Sequence, residues 1–319
     1  SDLPLSYVIR YFPNQAQLAL LASSLILPPS PKGNAGAVED YLFCSSFDFA
    51  DADLDTVAEA LLILPPNQYA KALNRLTPSQ FGALALTELE NNFSIANTFF
   101  ITGVGQRSCC YYTCESTNIW VNPLGFVYSQ KSHLQLGQEA IGFTNHTYGV
   151  AIGIDHVFSN DWKLGFGLGY SYSHLHWESQ AGKAHSDSGY LGPYIGYDCG
   201  NFYFEFLVLG AGNFYDVDRK IVFPGISRVA SSHPTTWNLS EVALAGFRLE
   251  PFYNFFVQPE LLLDQLNIFQ ESFSESGANS IDLFVKRKYS SFLRSLINVK
   301  FVKEWLMCNT CLAPSVNVG

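Results

Sequence analysis

Charge is scarce in this sequence. Only 14% of the 319 residues are Asp, Glu, Lys or Arg, and 18 basic against 28 acidic side chains leave a net charge of −10 at pH 7. That balance argues against a nucleic-acid partner, which wants a basic stripe to meet the phosphates. Long hydrophobic runs are lacking too. No uninterrupted apolar stretch reaches the roughly 18 residues of a transmembrane helix. The nearest, Leu18 to Leu27, is broken by Ser23 and Ser24 and stopped by Pro28 and Pro29. Without a Met start or a basic segment before it, that stretch does not read as a secretory signal. Methionine occurs once. The sequence holds no Gly-rich phosphate loop, no G-x-S-x-G elbow and no H-E-x-x-H pair, so neither an enzyme nor a cofactor is expected.

What is abundant is aromatic and small residues, arranged with period two. Thr147 to Trp177 reads as two strands joined at Ser159-Asn160-Asp161. Tyr148, Val150, Ile152, Ile154 and Phe158 share one face of the first, and Trp162, Leu164, Phe166, Leu168, Tyr170 and Tyr172 share one face of the second. The opposite face is Thr147, Gly149, Ala151, Gly153 and Asp155 on the first and Lys163, Gly165, Gly167, Gly169, Ser171 and Ser173 on the second. Side chains alternate across a strand, so this hairpin has one bulky apolar face and one small, polar face. A soluble core would fill with the large residues and charge its outside. Small residues suit instead the crowded interior of a narrow barrel, and Leu, Ile and Val between Trp and Tyr suit lipid with aromatic girdles.

Taken in order, residues 1–50 are apolar but irregular, and Pro28 to Gly36 reads as a loop or linker. Helical spacing begins near Asp53 with Val57, Leu61 and Leu64 and resumes with Tyr69, Ala72, Leu73 and Leu76. Thr77-Pro78-Ser79-Gln80 then supplies an N-cap, a proline at the first helical position and a glutamine at the third. The helix it opens is expected to run to about Phe100, long enough to cross a bilayer core. It carries Glu88, Glu90, Asn91 and Asn92, so it belongs in a pore or at a barrel mouth. Strands are expected near 117–130, 145–158, 161–177, 187–199, 201–217, 235–250, 253–270, 280–289, 290–304 and 308–319, with Pro193 and Pro259 each suggesting a bulge or a wrong boundary.

These residues resemble the translocator β-domain of type V secretion autotransporters, including the polymorphic outer-membrane protein group. The likeness runs from about residue 54 to 319, through LPPNQYAKALNRLTPSQFGALA, TYGVAIGIDHVFSNDWKLGFGLGYSYS, NFYFEFLVLGAGNFYDVDRKI and QPELLLDQLNIFQESFSESGANSIDLFVKRK. The resemblance implies an all-β, antiparallel up-and-down transmembrane barrel of 12 strands with an N-terminal α-helical linker. It implies an outer-membrane protein that anchors an N-terminal passenger and helps translocate it to the cell surface. Its partners would be outer-membrane lipid, the barrel-assembly machinery and its own passenger. Residues 1–52 would then be passenger tail and linker, 53–105 the helical linker spanning or plugging the barrel, and 106–319 the barrel domain. The family's last strand ends in an aromatic residue, whereas this chain stops at Val318-Gly319 and counts ten strands, which reads as an incomplete barrel. A passive porin, or a soluble all-β binding domain with a helical prefix, are the alternatives.

Few residues are candidates for chemistry. In some relatives the passenger is released between two asparagines of the helix inside the barrel, which makes Asn91 and Asn92 the candidate processing pair. If the Ser159 to Asp161 turn sets the register, His146 lies opposite His174, with His176 on the same outward face. Interfacial histidines rather than a metal centre are expected there. The seven cysteines, Cys44, Cys109, Cys110, Cys114, Cys199, Cys308 and Cys311, suggest an oxidising compartment with one or two disulfides, including links to other envelope proteins, more than a zinc site. Rim solvation is expected for Arg219, Arg248, Lys286 and Arg287.

Overall fold

The computed structural model describes residues 5–12, 15–22, 33–44, 51–101, 116–135, 138–158, 161–307, 310–312 and 315–318. Its body is one antiparallel sheet whose long strands follow each other in chain order. They are β1 (Ser116–Gln130), β2 (Phe143–Val157), β3 (Trp162–Trp177), β4 (Gly182–Asp198), β5 (Phe202–Phe223), β6 (Ile226–Ser232), β7 (Thr235–Phe247), β8 (Phe255–Gln270), β9 (Lys288–Lys303) and the short β10 (Ser315–Val318). β6 folds back only on the end of β5, while β7 pairs with the remainder of β5. Among the described residues the sheet is a half-barrel with edges at β1 and β10, curled about a helix.

The alternation expected from sequence is obeyed. Ile152, Leu164 and Leu168 are 46%, 53% and 47% exposed, while Ala151, Ser171 and Ser173 are buried. The small-residue face therefore looks inward. From Trp162 to Tyr172 is about 33 Å along the strand, or about 25 Å along the normal at a tilt of roughly 40°, the height of an apolar band in an outer-membrane barrel. Trp162 meets Tyr197 at 4.8 Å and Phe202 meets Phe247 at 5.2 Å at one border of that band. Phe214 with Trp237 and Phe269 with Tyr289 mark the other.

Four helices precede the sheet: α1 (Asn34–Cys44), α2 (Ala52–Leu62), α3 (Pro66–Arg75) and α4 (Gly82–Ile101). A 3-10 turn, Pro78–Phe81, leads into α4, and the Thr77 side chain caps it by accepting from the Ser79 amide. The third-position glutamine does not reach back to its own cap as a capping box would. Gln80 instead donates to the Ala181 carbonyl at 3.2 Å, tying the helix entrance to the β3–β4 loop. No described helix is long and apolar enough to cross a membrane.

Several expectations need correction. The first 50 residues are not all irregular: Leu5–Phe12 pairs with Gln15–Ala22 in a hairpin, and α1 starts at Asn34 where a loop was expected. The 280–289 strand does not form. Ala278 donates its amide to Asp282 and Ser280 its own to Asp53, which coils this stretch into a 3-10 turn followed by a two-residue strand. Among the described residues of 308–319, Ser315–Val318 joins the sheet, and Thr310–Leu312 pairs instead with Trp305–Met307. Pro193 causes no bulge, because its register with β3 is continuous on both sides. Pro259 causes none either. It keeps register with β9, one residue past Glu260, where the β7 ladder ends, so it interrupts no central pairing with β7.

Candidate functional site

Connections at one end of the sheet are tight, as at Asp198 to Phe202, whereas the other end carries 130–143, the β5–β6 hairpin and 270–288. In outer-membrane barrels the short turns are periplasmic and the long loops extracellular. The start of α4 lies at the long-loop end, where Phe81 packs on Phe273 at 4.9 Å. Its end lies at the short-turn end, where Phe99 meets Trp120 at 5.3 Å. The helix therefore runs down the concave face from the cell-surface side, and its 20 residues span about 30 Å.

Two polar clusters fasten α4 to the wall. Asn91 donates its amide nitrogen to Ser173 Oγ at 3.0 Å, and Thr147 Oγ1 donates to Asn91 Oδ1 at 3.0 Å. Since the one Thr147 proton is used on Asn91, Ser173 donates to Thr147 across 2.8 Å, and Asn145 Nδ2 fills the remaining Thr147 lone pair at 2.9 Å. Above this cluster, Glu88 Oε1 accepts from Tyr215 at 2.8 Å and from Thr236 at 2.7 Å. All of these groups are buried, where an unmade hydrogen bond costs ~1–3 kcal/mol, so they fix the helix in rotation and depth. An Arg294–Glu90 pair at 3.0 Å and Asn122 donating to the Thr98 carbonyl at 3.0 Å add further ties.

Lower down, contact is steric. A Cβ on Gly167 would lie 2.7 Å from Phe99, and one on Gly153 would lie 2.3 Å from Trp120. Glycine is required here because the rings press on the strand backbone. Trp120 Nε1 donates to Tyr194 at 2.8 Å, and Tyr194 donates to Asp155 at 2.9 Å, so the rings behind Phe99 are themselves held.

Above the sheet, α1 to α3 pack with Ile221, Phe223, Ile226, Ala230 and Ile281 in a core of their own. Of residues 53–105, then, α4 occupies the lumen while α2 and α3 sit on the extension of β5 and β6. Two arginines bind this unit down. Arg219, expected at the solvated rim, is fully buried. Its Nε donates to Glu275 at 2.7 Å, its guanidinium bridges both carboxylate oxygens, and Nη1 donates to the Arg75 carbonyl at 2.7 Å. Arg228 forks onto Asp53 at 2.8 and 2.7 Å, and Ser280 donates to the same carboxylate from its hydroxyl and, at 3.1 Å, from its amide. These donors hold the Asp53 carboxyl down at about 2. Arg248 is also not free at the rim, since it grips Asp198 with two bonds of 2.9 Å. Lys286 and Arg287 are exposed as expected.

Both candidate processing residues are buried. Asn91 is the one pinned to the wall, and Asn92 donates to the Glu88 carbonyl within the helix at 3.1 Å. Asn91 was visible in the sequence, while Glu88, Thr147 and Ser173 gave no motif beyond a polar residue on a facing surface. His146 does lie opposite His174, and His185, which the spacing argument missed, lies on the other side. Cys199 is free and exposed. Cys109, Cys110, Cys114 and Cys308 fall outside the described residues, and the side chains of Cys44 and Cys311 do too.

A family model of the autotransporter β-domain matches residues 120–319. The chain belongs to the autotransporter β-domain family. It is an outer-membrane β-barrel domain of the kind that translocates a linked passenger. The translocator domain of the autotransporter NalP from Neisseria meningitidis aligns with a TM-score of 0.56 at 14% identity, over 70% of this chain and 71% of that one, a likeness of fold. The β-domain of the Bordetella autotransporter BrkA aligns at 0.41 and 14% identity, over 62% and 76%. An extracellular serine protease of Serratia marcescens is 32% identical over 115 residues, 36% of this chain. The chain spans about a tenth of that relative's length.

Proposed function

We propose that α4 is the trailing linker of the exported passenger, resting in the lumen after passage, and that α1 to α3 form a cell-surface collar from which the passenger projects. The observation that carries this reading is the buried Asn91–Thr147–Ser173 cluster, which seats the helix in one position on the inward face. On this reading the protein's work is physical rather than catalytic. The wall presents apolar side chains to lipid, the interior presents hydroxyls and amides, and the helix stoppers the interior. The barrel-assembly machinery of the outer membrane is its partner in insertion on this reading, which the strand pattern of an outer-membrane barrel supports.

The test uses the full-length protein in a Gram-negative host. A tag fused ahead of Ser1 is expected to bind antibody on intact cells. Deleting residues 82–101 is expected to open a conductance while the folded protein still shifts on boiling. A tag reached only after lysis would sink the orientation, and an unchanged conductance would sink the stoppered lumen.

Processing between Asn91 and Asn92 is a second reading, favoured by the burial of both residues and the fixed orientation of the Asn91 amide.

A further inference from the structure

Four of the seven histidines gather on the outward face at the cell-surface ends of three neighbouring strands. His174 and His176 stand two apart on β3, on the same face. His146 on β2 and His185 on β4 are the direct cross-strand partners of His174 from either side. The ring centroids of His174 lie 4.0 Å from His176 and 4.2 Å from His185. His174 Nε2 is shielded from solvent and has no hydrogen-bond partner, which leaves a nitrogen lone pair or N–H unmet. The Tyr172 hydroxyl lies 2.8 Å from His185 Nδ1. With Nδ1–H donating to that hydroxyl, His185 presents the lone pair of Nε2.

We propose that His146, His174, His176 and His185 form a binding site for a divalent transition metal of the zinc, nickel or copper type on the outer wall of the barrel. Imidazole nitrogens are the ligands these ions prefer. Residues two apart on a strand are about 6.6 Å apart and cross-strand Cβ atoms about 5 Å, so rings projecting from this quartet reach a common ion at roughly 2.0–2.1 Å per bond. In the described conformation the rings lie against one another, and no three donor groups among the described residues surround one point. Convergence takes rotation of the imidazoles about their side-chain torsions, the strand register already setting the four residues side by side.

The surroundings favour a cation. Lys183 stands opposite His176, but its ammonium leans to Asp218 at 3.8 Å. Asp187 accepts from Tyr170 on the adjoining row, and Asp216, opposite His185, pairs with His233 at 2.6 Å. The site stands just above the exposed Tyr148, Tyr170 and Tyr172, so an ion from the external medium reaches it without crossing lipid.

The test uses the full-length protein without an affinity tag, extracted from outer membranes into detergent. Calorimetric titration with zinc, and retention on a nickel-chelate resin with elution by imidazole, are the readouts. One ion per chain is expected, with the affinity falling at least tenfold in His174→Ala and in His185→Ala, less in His146→Ala, and not at all in His233→Ala. Heat modifiability confirms that each variant is folded. The proposal is overturned by a parent protein that is not retained, by retention unchanged in a folded His174→Ala/His185→Ala double variant, or by binding that disappears on alkylating the cysteines.

Discussion

Substituting Gly167 by alanine tests whether the helix and the wall are fitted or merely adjacent. The added Cβ would sit 2.7, 2.9 and 3.1 Å from three ring carbons of Phe99. Ordinary carbon contact begins near 3.5 Å, so the ring must retreat by roughly 0.8 Å. It has nowhere to go, because Phe99 is 0% exposed, with Trp120 at 5.3 Å and Tyr194 at 6.0 Å behind it. Overpacking of this kind costs ~1–3 kcal/mol. At about 2 kcal/mol the population with α4 unseated rises roughly thirtyfold. Channel recordings in planar bilayers are expected to show more frequent openings in Gly167→Ala. In a Phe99→Ala background the same substitution is expected to cost almost nothing, a coupling of ~2 kcal/mol in the double-mutant cycle. Gly189→Ala is the control, since a Cβ there meets nothing within 4 Å. If Gly167→Ala opened the channel equally in both backgrounds, or not at all, the fitted-helix reasoning would be refuted.

Three further outcomes follow from the same geometry. Arg219→Ala leaves the buried Glu275 carboxylate without its cation, the Leu283 amide still donating to it at 2.9 Å, and is expected to cost ~3–5 kcal/mol, read as a lower denaturant midpoint for the collar and faster proteolysis of residues 33–75; a midpoint within error of the parent would contradict the buried pair. The Asp53 carboxyl is held at about 2, below its ordinary 3.8, so its stabilisation is present above pH 3.8 and is lost as pH falls through 2; amide exchange in α2 is expected to accelerate only in that window, by at most about 2 kcal/mol and nearer 1 after solvent screening, and the acceleration is expected to be absent in Asp53→Asn. If the linker is processed at the asparagine pair, mass spectrometry of surface-exposed protein is expected to find a new N-terminus at Asn92 in the parent and an unbroken chain in Asn91→Ala; an unbroken parent chain would remove the pair as a processing site.

The strands that could be read from sequence are those whose two faces do different work. In β2 and β3 one face meets lipid and the other meets a helix, so bulky and small residues separate cleanly, and the register that places His146 against His174 follows from the turn. The collar could not be read this way, because its contacts cross large sequence distances. Arg219 is closed off by Arg75 and Glu275, 144 and 56 residues away, and nothing near Arg219 announces either one. The stretch 280–289 was misjudged for the same reason, since Asp53, 227 residues from Ser280, takes its amide.

That division bears on how export comes to rest. On β2 and β3 the inward face beneath α4 is mostly glycine, alanine, serine and threonine, which grip weakly as an extended chain slides past, while Trp120, Tyr190, Tyr194 and Leu207 pack around the helix from the other strands. Only a helix that brings Asn91 to Thr147 and Ser173, Glu88 to Tyr215 and Thr236, and Phe99 to Gly167 satisfies all three levels at once. A mismatch at any level leaves a buried polar group unmade or a ring in collision, at ~1–3 kcal/mol each. On the proposed reading of α4, the lumen is thus permissive to passing chain along β2 and β3 and selective for its final occupant. The collar's two arginine clamps then oppose withdrawal of that occupant from the cell-surface end, because pulling α4 back requires breaking Arg219 from the carbonyl of Arg75, two residues before the cap of the helix.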